Sequence, residues 1–472
     1  MLSTFIQRVH FVGIGGAGMS AIAELLHLQG VRVSGSDASD SPVLRRLHSL
    51  GIRTAVGHEV QHLSDAQVLV VSSAVAASNV EVLTAQARGL PVVPRAQMLA
   101  ELMRGRLGIA VAGTHGKTTT TALIASVLMA SGAQPSYVLG GELLATGANA
   151  GLGQGSAIVV EADESDASFL HLLPVLAVVT NIDEDHMATY GHSRQKLDDA
   201  FISFLHRLPF YGTAVVCSDD TGVQAVLPRV QRPVLRYGLG AEAELRAVDV
   251  QAGPGAQMHF VARQSGHANL PVSLNLAGEH NVRNALAAVA VARLLKQSDA
   301  AVQRALAEFS GAGRRFQNHG DLPASGGGSF TLIDDYGHHP VELAAVLAAA
   351  RGAYPGRRLV AVFQPHRYSR TRDCMADFAA VLARFDAVLL AEVYAAGEKA
   401  PTGGEGSDGA SLAGRVPGAR FIAALADLPA AILDAVRDGD IVLTLGAGSI
   451  ASVPSAVQQL AHAPTRREGA PA

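Results

Sequence analysis

Cysteine is nearly absent. Cys217 and Cys374 are the only two in 472 residues, which excludes a disulfide framework or a thiolate metal site and fits a reducing compartment. Charge is also scarce: Asp, Glu, Lys and Arg make up 17% against 49% hydrophobic residues, a balance that excludes a disordered or coiled-coil chain. Neither sign dominates. With 37 basic and 41 acidic residues and a formal net charge of -4, nothing draws the chain to nucleic acid or an anionic membrane, so any polyanion has to be held at a local site. No apolar run approaches the roughly 18 residues that a membrane-spanning helix needs. The stretch from Phe11 to Leu26 is crowded with glycine and carries Glu24, unlike a signal peptide. No repeat of fixed period is present. These absences point to a soluble cytoplasmic protein with no nucleic-acid partner and no membrane insertion; composition does not disclose the oligomeric state, and a monomer or weak homodimer is expected.

What is plentiful is glycine, 49 residues, with 20 prolines, the punctuation of tightly turned α/β units. At about 150 residues per domain the length suggests roughly three domains. Val9 to Val12 reads as a strand, followed by a glycine loop, a helix from Met19 to Leu28, and further strands at Val31 to Ser34, Val68 to Ser73 and Val92-Val93. A second unit opens with a buried strand, Leu107 to Ala112, and continues through Ala157 to Val160 and Leu176 to Val179, both ending in acidic or histidine residues. Their tips are expected at one carboxyl edge of a parallel sheet. A small β meander between Arg236 and Leu276 precedes a helix from Asn281 to Leu295. After a hinge at Gly311-Ala-Gly313, strands at Phe330 to Ile333, Leu359 to Phe363, Ala387 to Leu390 and Ile441 to Leu445 alternate with Ala-rich helices. The stretches Gly403 to Gly409 and His462 to Ala472 read as mobile.

The segment richest in chemistry is Gly113-Thr114-His115-Gly116-Lys117-Thr118-Thr119, set between a strand and a helix. Backbone N–H groups at a helix N-terminus cradle phosphate oxygens, Lys117 neutralises them, and the Thr118 hydroxyl can ligate Mg²⁺. Val111 stands where the first glycine of the usual phosphate-loop spacing belongs, which implies a shorter variant. An ordinary glycine turn is the bland alternative, and strand, Gly-Lys-Thr and helix together outweigh it. Carboxylates follow two further strands, at Glu161-Ala-Asp163-Glu164-Ser-Asp166 and Asn181-Ile-Asp183-Glu-Asp185-His186. Oxygen ligands suit Mg²⁺, so Thr118, Glu161 and His186 are the candidate metal ligands, for two ions.

Near the amino terminus, Gly13-Ile-Gly15-Gly-Ala-Gly18 with Asp37 on the next strand has the form of a dinucleotide fingerprint. The physics supports a helix N-terminus for a diphosphate and a carboxylate in reach of a ribose or base. NAD and a UDP-sugar meet those demands equally.

The chain resembles the Mur ligases over essentially its whole length. The resemblance rests on His10-Phe-Val-Gly-Ile-Gly-Gly-Ala-Gly-Met-Ser20, Gly113-Thr-His-Gly-Lys-Thr-Thr119, Glu161-Ala-Asp-Glu-Ser-Asp166, Thr180-Asn-Ile-Asp-Glu-Asp-His186, Gly278-Glu-His-Asn-Val-Arg-Asn284, Gly313-Arg-Arg-Phe316 and Asp334-Asp-Tyr-Gly-His-His-Pro340. It implies an α/β fold of three domains: a Rossmann-like UDP-substrate domain (1–101), a central P-loop ATPase-type domain with a parallel or mixed sheet (102–311), and a mobile, Rossmann-like carboxyl-terminal ligase domain (312–472). The implied activity is ATP-dependent ligation. The lactyl carboxylate of UDP-N-acetylmuramate is phosphorylated, and the acyl phosphate is attacked by the amine of L-alanine.

By the same resemblance, Gly15, Gly16, Ala17, Gly18, Met19, Asp37, Ser72 and Ser73 are expected at the UDP-sugar. Gly113, Thr114, His115, Gly116, Lys117, Thr118, Thr119, Asn281, Asn284, Arg314, Arg315 and Asp335 are expected at ATP, the asparagines near adenine and Asp335 at the ribose. Lys117, Glu161 and His186 would serve phosphoryl transfer, with His338, Arg367 and Arg370 on the amino-acid side. One of the two hinge arginines is expected to face phosphates. Several relatives carry a carbamylated lysine as a metal ligand; the spacing of Lys196 does not transfer that role, and it reads as a solvated helix residue. Competing readings are a ligase that attaches a recycled peptide to the same acid, an NAD-dependent oxidoreductase, and a nucleotide-binding scaffold without turnover.

Overall fold

In the computed structural model, which describes residues 2–72, 74–400 and 406–462, the short apolar runs become parallel strands flanked by helices. Three sheets result. The first is five-stranded, in the order Arg53–Val56, Arg32–Asp37, Arg8–Val12, Val68–Val71, Val92–Pro94, and all its pairings are parallel. The second is ten-stranded, running Leu270–Leu274, Gln257–Gln264, Leu245–Gly253, Val234–Gly238, Thr213–Cys217, Leu176–Val179, Leu107–Ala112, Ala157–Glu161, Ser136–Leu143, Ala148–Gly151. The third has six strands: Gln317–Pro323, Ser329–Asp335, Ile441–Leu445, Leu359–Phe363, Ala387–Ala391, Arg420–Ile422.

Leu107–Ala112 is apolar throughout because it lies between two parallel neighbours, Leu176–Val179 and Ala157–Glu161, and is covered on both faces. The helices Ala17–Leu28, Lys117–Ala130 and Glu279–Leu294 are buried along most of their length. They begin where glycine-rich loops leave strand ends, so their N-termini point at the carboxyl edges of the sheets.

The chain divides into two compact units: Met1–Val250 with His259–Asn275 and His280–Ala312, and Gln251–Met258 with Leu276–Glu279 and Gly313–Ala472. The first sheet and all of the second except the hairpin end at Gln251–Met258 fall in one unit, because a continuous apolar core runs from Val9 and Leu25 through Leu99 and Ala110 to Phe201 and Val226. The helix Arg95–Met103 crosses position 101 within that core. In the second unit, separate apolar layers cover the two faces of the sheet, one built on Phe363 and Phe378 and the other on Phe330 and Ile432. Among the described residues no helix is long and apolar enough to cross a membrane.

Several strands escape the sequence pattern. Gln317–Pro323 is polar and contains Gly320 and Pro323, yet it forms an antiparallel edge strand with a register shift between Asn318 and Asp321, an edge position where proline and a bulge are tolerated. Arg53–Val56, Arg420–Ile422 and Ala148–Gly151 are short edge strands. Ser136–Leu143 is broken in pattern by Gly140, where a Cβ would lie 2.8 Å from Glu161 Oε2. Arg32–Asp37 runs past the expected Ser34, while the strand expected to reach Ser73 stops at Val71. Ser73 lies outside the described residues. So do 403–405 and 463–472, parts of the two stretches expected to be mobile, whereas Gly409 opens a helix capped by Asp408, whose Oδ1 accepts from Ser411 N at 2.7 Å.

Phe169 ties this core to the acidic loop after Ala157–Glu161. Its ring is fully buried against Phe201 and Phe204, with centroids 5.2 and 5.0 Å apart, while its N–H donates to Asp163 O at 3.0 Å. Phe169→Ala is expected to destabilise the first unit by about 3–5 kcal/mol. Urea unfolding read by circular dichroism checks this, and a loss near zero would contradict the anchoring role.

Candidate functional site

Two loop systems lie at carboxyl strand edges of the first unit. The glycine loop after Arg8–Val12 is held by the neighbouring strand end: Ser36 O accepts Gly13 N at 2.8 Å and Ile14 N at 3.1 Å, and Asp37 Oδ2 accepts Gly15 N at 2.9 Å. Gly13 has φ +80°, in the left-handed region, and a Cβ there would meet Ser72 Cβ at 3.2 Å. Asp37, expected at a ribose or base, is therefore engaged with the loop backbone. Gly16 is the N-cap of the helix that contains Ala17, Gly18 and the buried Met19, and the amides of this first turn make the anion-seeking end.

The phosphate loop lies between Leu107–Ala112 and Lys117–Ala130. Asn181 and Asp183 brace it from the adjacent strand end. His115 N donates to Asn181 Oδ1 at 2.8 Å, Asn181 Nδ2 donates to His115 O at 2.9 Å, and Asp183 N donates to Thr114 Oγ1 at 2.8 Å. Gly113, at φ +131°, would place a Cβ 2.1 Å from Thr180 Oγ1, and Gly116, at φ +80°, would place one 2.8 Å from Asn284 Oδ1, so both glycines are required by close approach. Asn281 and Asn284 are buried under this loop. Asn284 Oδ1 accepts from Thr120 Oγ1 at 3.1 Å and its Nδ2 donates to Asn281 Oδ1 at 3.0 Å.

Lys117 Nζ donates to Gly113 O at 2.8 Å, Thr114 O at 3.0 Å and Glu164 Oε1 at 2.9 Å. Burial would lower its pKa, but the carboxylates of Glu164, Asp163 and Glu161 outweigh that and hold the ammonium above the usual lysine range. Glu164, with its side chain 3% exposed, is pushed up to about 7 by burial against the pull of Lys117. Sequence reasoning quoted Glu164 without giving it a role; its signal was its place in the acidic run.

Thr118 Oγ1 and the Glu161 carboxylate lie 3.0–3.1 Å apart, and Glu161 Oε2 also accepts Gly140 N at 2.8 Å. A hydroxyl and a carboxylate beside a phosphate loop are hard oxygen donors that fit Mg²⁺. His186 is carried by the loop after Leu176–Val179, at φ +54°, with Nε2 3.4 Å from Asp185 Oδ2. Lys196 is an exposed residue of the helix Arg194–His206, as expected.

Contacts that sequence did not suggest tie the first helix and Arg95 to other parts of the same unit. Asn149 Nδ2 donates to Ala17 O at 3.2 Å and Ser20 Oγ at 3.1 Å. Arg95 Nη2 donates to Ser168 Oγ at 3.2 Å and lies 3.5 Å from Asp163 Oδ2. A groove of about 480 Å³ is lined by Ser72, Pro94, Arg95, Asp166 and Ser168.

In the second unit the adjacent arginines share the Tyr336 ring, with Arg314 5.5 Å from its centroid, and differ in their other partners. Arg314, at φ +57°, pairs with buried Asp334 at 2.8 Å and donates to Gly446 O at 2.6 Å, while Arg315 lies over the Tyr336 ring, 4.9 Å from its centroid. Asp335 is buried and accepts Phe316 N and Gly337 N, each at 2.7 Å. Burial pushes its carboxyl up to about 6, against Arg315 and the two backbone donors.

His338 Nδ1 lies 3.1 Å from Tyr336 O, and its ring meets Tyr336 and His366 edge-on at 5.2 and 5.4 Å. His366, which sequence passed over, stacks on Tyr394 at 5.6 Å. Burial, then His338, Arg370 and Arg367, lower its pKa to about 3, so it stays neutral. Arg367, at φ +68°, is the N-cap of the helix Tyr368–Asp373, which carries Arg370.

Three family models match in chain order: "Mur ligase family, catalytic domain" over residues 8–107, "Mur ligase middle domain" over 111–292, and "Mur ligase, glutamate ligase domain" over 314–448. A UDP-N-acetylmuramate--L-alanine ligase of Methylibium petroleiphilum is 60% identical over 468 residues, 97% of this chain and 99% of that protein. One of an Acidovorax species is 62% identical over 463 residues, 96% of each. Among solved structures, the UDP-N-acetylmuramate-alanine ligase MurC of Thermotoga maritima superposes with a TM-score of 0.81 at 29% identity, covering 95% of this chain and 98% of that one. A murein peptide ligase of Psychrobacter arcticus shares the fold with a TM-score of 0.72 at 24% identity, covering 96% and 98%.

The burial of Asp335 has a measurable consequence. Its carboxyl titrates near 6 in the folded protein, above its ordinary value of 3.8. The folded state therefore holds this proton more tightly, and the stability it confers is present below about pH 4 and lost as pH rises through about 6, by up to about 3 kcal/mol. Asp335→Asn is expected to flatten that part of the pH profile of the second unit. Urea unfolding across the same range checks it, and equal slopes in both proteins would contradict the burial argument.

Proposed function

The chain belongs to the Mur ligase family, and on that premise we propose that it joins L-alanine to the lactyl carboxylate of UDP-N-acetylmuramate at the expense of ATP. The observation that carries this reading is the loop in which Lys117, Thr118 and Glu161 converge at the start of a buried helix. It fits a nucleoside triphosphate with its cation.

A carboxylate is a poor electrophile, so it has to be phosphorylated before an amine can displace an oxygen from it. Lys117 supplies positive charge to the phosphates during that transfer, and the amides at the start of the helix Lys117–Ala130 orient them. Thr118 and Glu161 would hold Mg²⁺, with His186 for a second ion. When bound, the metal supplies charge neutralisation of the phosphates. Asn281 and Asn284 are assigned to the adenine side. Arg315 is preferred over Arg314 for phosphate contact, because Arg314 is committed to Asp334 and Gly446. Asp335 is assigned to the nucleotide ribose.

The glycine loop takes the UDP diphosphate at the amides of Ala17, Gly18 and Met19, with Ser72 at the adjoining strand end. His338, Arg367 and Arg370 are assigned to the amino-acid carboxylate or the acyl phosphate, since a guanidinium fork suits either. The domain limits at 101 and 311 and the mobility of the last domain belong to the same proposal. We assign the reaction to the cytoplasm, where ATP and UDP-sugars are available.

The oxidoreductase alternative is weakened by the engagement of Asp37 with Gly15 N, and it leaves the phosphate loop without a purpose. The peptide-attaching ligase is separated by its acceptor. Phosphate release with ATP, Mg²⁺ and UDP-N-acetylmuramate, scanned across amino acids and the tripeptide, is expected to be fastest with L-alanine. Slower turnover with L-serine and glycine is expected, because one small group in a pocket discriminates by only about 1–3 kcal/mol. Faster release with the tripeptide would favour the recycling reaction. Lys117→Met keeps the apolar stem and removes the charge, and is expected to reduce turnover by 10² or more. Near-normal turnover in that variant would contradict the charge role.

A further inference from the structure

Glu81 lies in the first turn of the helix Val80–Ala87 of the first unit, and it is 0% exposed. Its Oε2 accepts from Ser36 Oγ at 2.5 Å and lies 3.4 Å from His10 Nε2 and 3.7 Å from His58 Nδ1. Its Oε1 accepts Glu59 N at 3.0 Å and lies 2.9 Å from His62 Nδ1. The network extends outward, since His10 Nδ1 is 2.8 Å from Ser34 Oγ and His58 Nδ1 is 2.9 Å from Ser36 Oγ. Burial raises the pKa of this carboxyl, but the bonds from His10, Ser36, Glu59 N and His62 outweigh it and bring it down to about 2. The group is a fixed anion at any working pH.

A buried carboxylate that gathers this many donors is a costly way to fill space, because an apolar residue of similar volume is often at least as stable. Its position suggests what it does. Ser36, which it grips by the side chain, is the residue whose carbonyl accepts both Gly13 N and Ile14 N. The next residue, Asp37, accepts Gly15 N. Three successive amides of the glycine loop thus hang on a strand end that Glu81 locks from beneath.

We propose that Glu81 is a positioning residue for the UDP end of the substrate, holding Ser36 so that the glycine loop presents the helix-start amides at Ala17, Gly18 and Met19 to the diphosphate. This rests on the assignment of the UDP-sugar to that loop. Glu81 touches no substrate. It acts through Ser36, and its loss would loosen a binding loop without altering phosphoryl transfer at Lys117.

The test is steady-state kinetics on the full chain with Glu81→Gln, Ser36→Ala and the double variant, together with calorimetric binding of UDP alone. Loss of a charged hydrogen-bond hub should raise KM for UDP-N-acetylmuramate and Kd for UDP about tenfold in Glu81→Gln, and by a smaller factor in Ser36→Ala. The double variant should be no worse than Glu81→Gln, because both act along one chain of contacts. The turnover number and the KM for ATP should stay within about twofold. Unchanged KM and Kd in folded Glu81→Gln would overturn the proposal, as would a parallel loss in kcat and both KM values. If Glu81→Gln fails to fold, Ser36→Ala decides alone, and unchanged UDP affinity there overturns it. A wild-type chain that binds no UDP would overturn the substrate assignment and this proposal together, whereas normal wild-type turnover with unaffected variants would sink only the proposal.

Discussion

The ion pair between Lys117 and Glu164 is the constraint on which the candidate site of the first unit depends. An ammonium and a carboxylate withdrawn from water lose several kcal/mol of hydration each, so they persist only where further hydrogen bonds complete the geometry. Here they do. Lys117 adds the carbonyls of Gly113 and Thr114 to its bond with Glu164, which curls the phosphate loop around its own lysine. Glu164 in turn sits in a loop fixed by Tyr190 Oη, which donates to Glu164 O at 2.5 Å, and by Phe169 N on Asp163 O. The loop is pre-shaped, and little ordering remains when an anion arrives. Burial holds the Glu164 carboxyl up at about 7 even beside the ammonium, so it is the lysine that keeps the group ionised, and drawing the lysine away would leave a carboxylate ready to accept a proton.

The two candidate sites in this unit are built alike. Each has a loop leaving a parallel strand, a helix starting beyond it, and an adjacent strand end whose side chains hold the loop amides. Asp37 does this for Gly15 and Asn181 for His115, while Asp183 braces the phosphate loop the other way round, its own amide donating to the Thr114 hydroxyl. The parallel arrangement makes this possible, since neighbouring strands end side by side and expose their first loop residues to one another. The carboxylates and amides that look like ligand contacts in the sequence are therefore partly scaffold. The amides left for anions lie one turn further on, at the helix starts.

That distinction marks the limit of what was legible in the sequence. Most central strands and both loops could be read from apolar runs, because strands covered on both faces need no alternation and helices announce themselves by period, although the interior strands Thr213–Cys217 and Ser136–Leu143 were missed. Leu107–Ala112, Leu176–Val179, Leu359–Phe363 and Ile441–Leu445 fall where the pattern put them. Edge strands such as Gln317–Pro323 did not show, since an edge tolerates polar residues, glycine and proline, and its formation is decided by the partner strand. Partner choice within the sites was equally hidden. Nothing local distinguishes a carboxylate aimed at a ribose from one aimed at Gly15 N, and nothing in the run Glu161 to Asp166 singles out Glu164 as the lysine's partner. Glu81 and His10 were invisible for the same reason: they are 71 residues apart and meet only in the folded sheet.

Adjacent identical residues show how the backbone makes such choices. Arg314 and Arg315 have the same side chain and both lie over Tyr336, yet only Arg314, at φ +57°, also folds back onto Asp334 and Gly446. A non-glycine residue at positive φ costs of order 1–3 kcal/mol and survives only where its surroundings over-determine it. The bidentate bond to Asp334 provides that at Arg314. His186 and Arg367 also have positive φ, +54° and +68°, Arg367 with an extended ψ of 136°. Asp185 Oδ1 accepts His186 N at 2.8 Å, and Arg367 N donates to Tyr394 O at 2.8 Å while its carbonyl accepts Thr371 Oγ1 at 2.8 Å. In each case the strained residue is held by bonds to its own backbone or side chain, and the strain turns the chain sharply at the mouth of a strand. Two bonds to its own backbone thus fix where the chain turns at Arg367, and its side chain stays exposed beyond that turn.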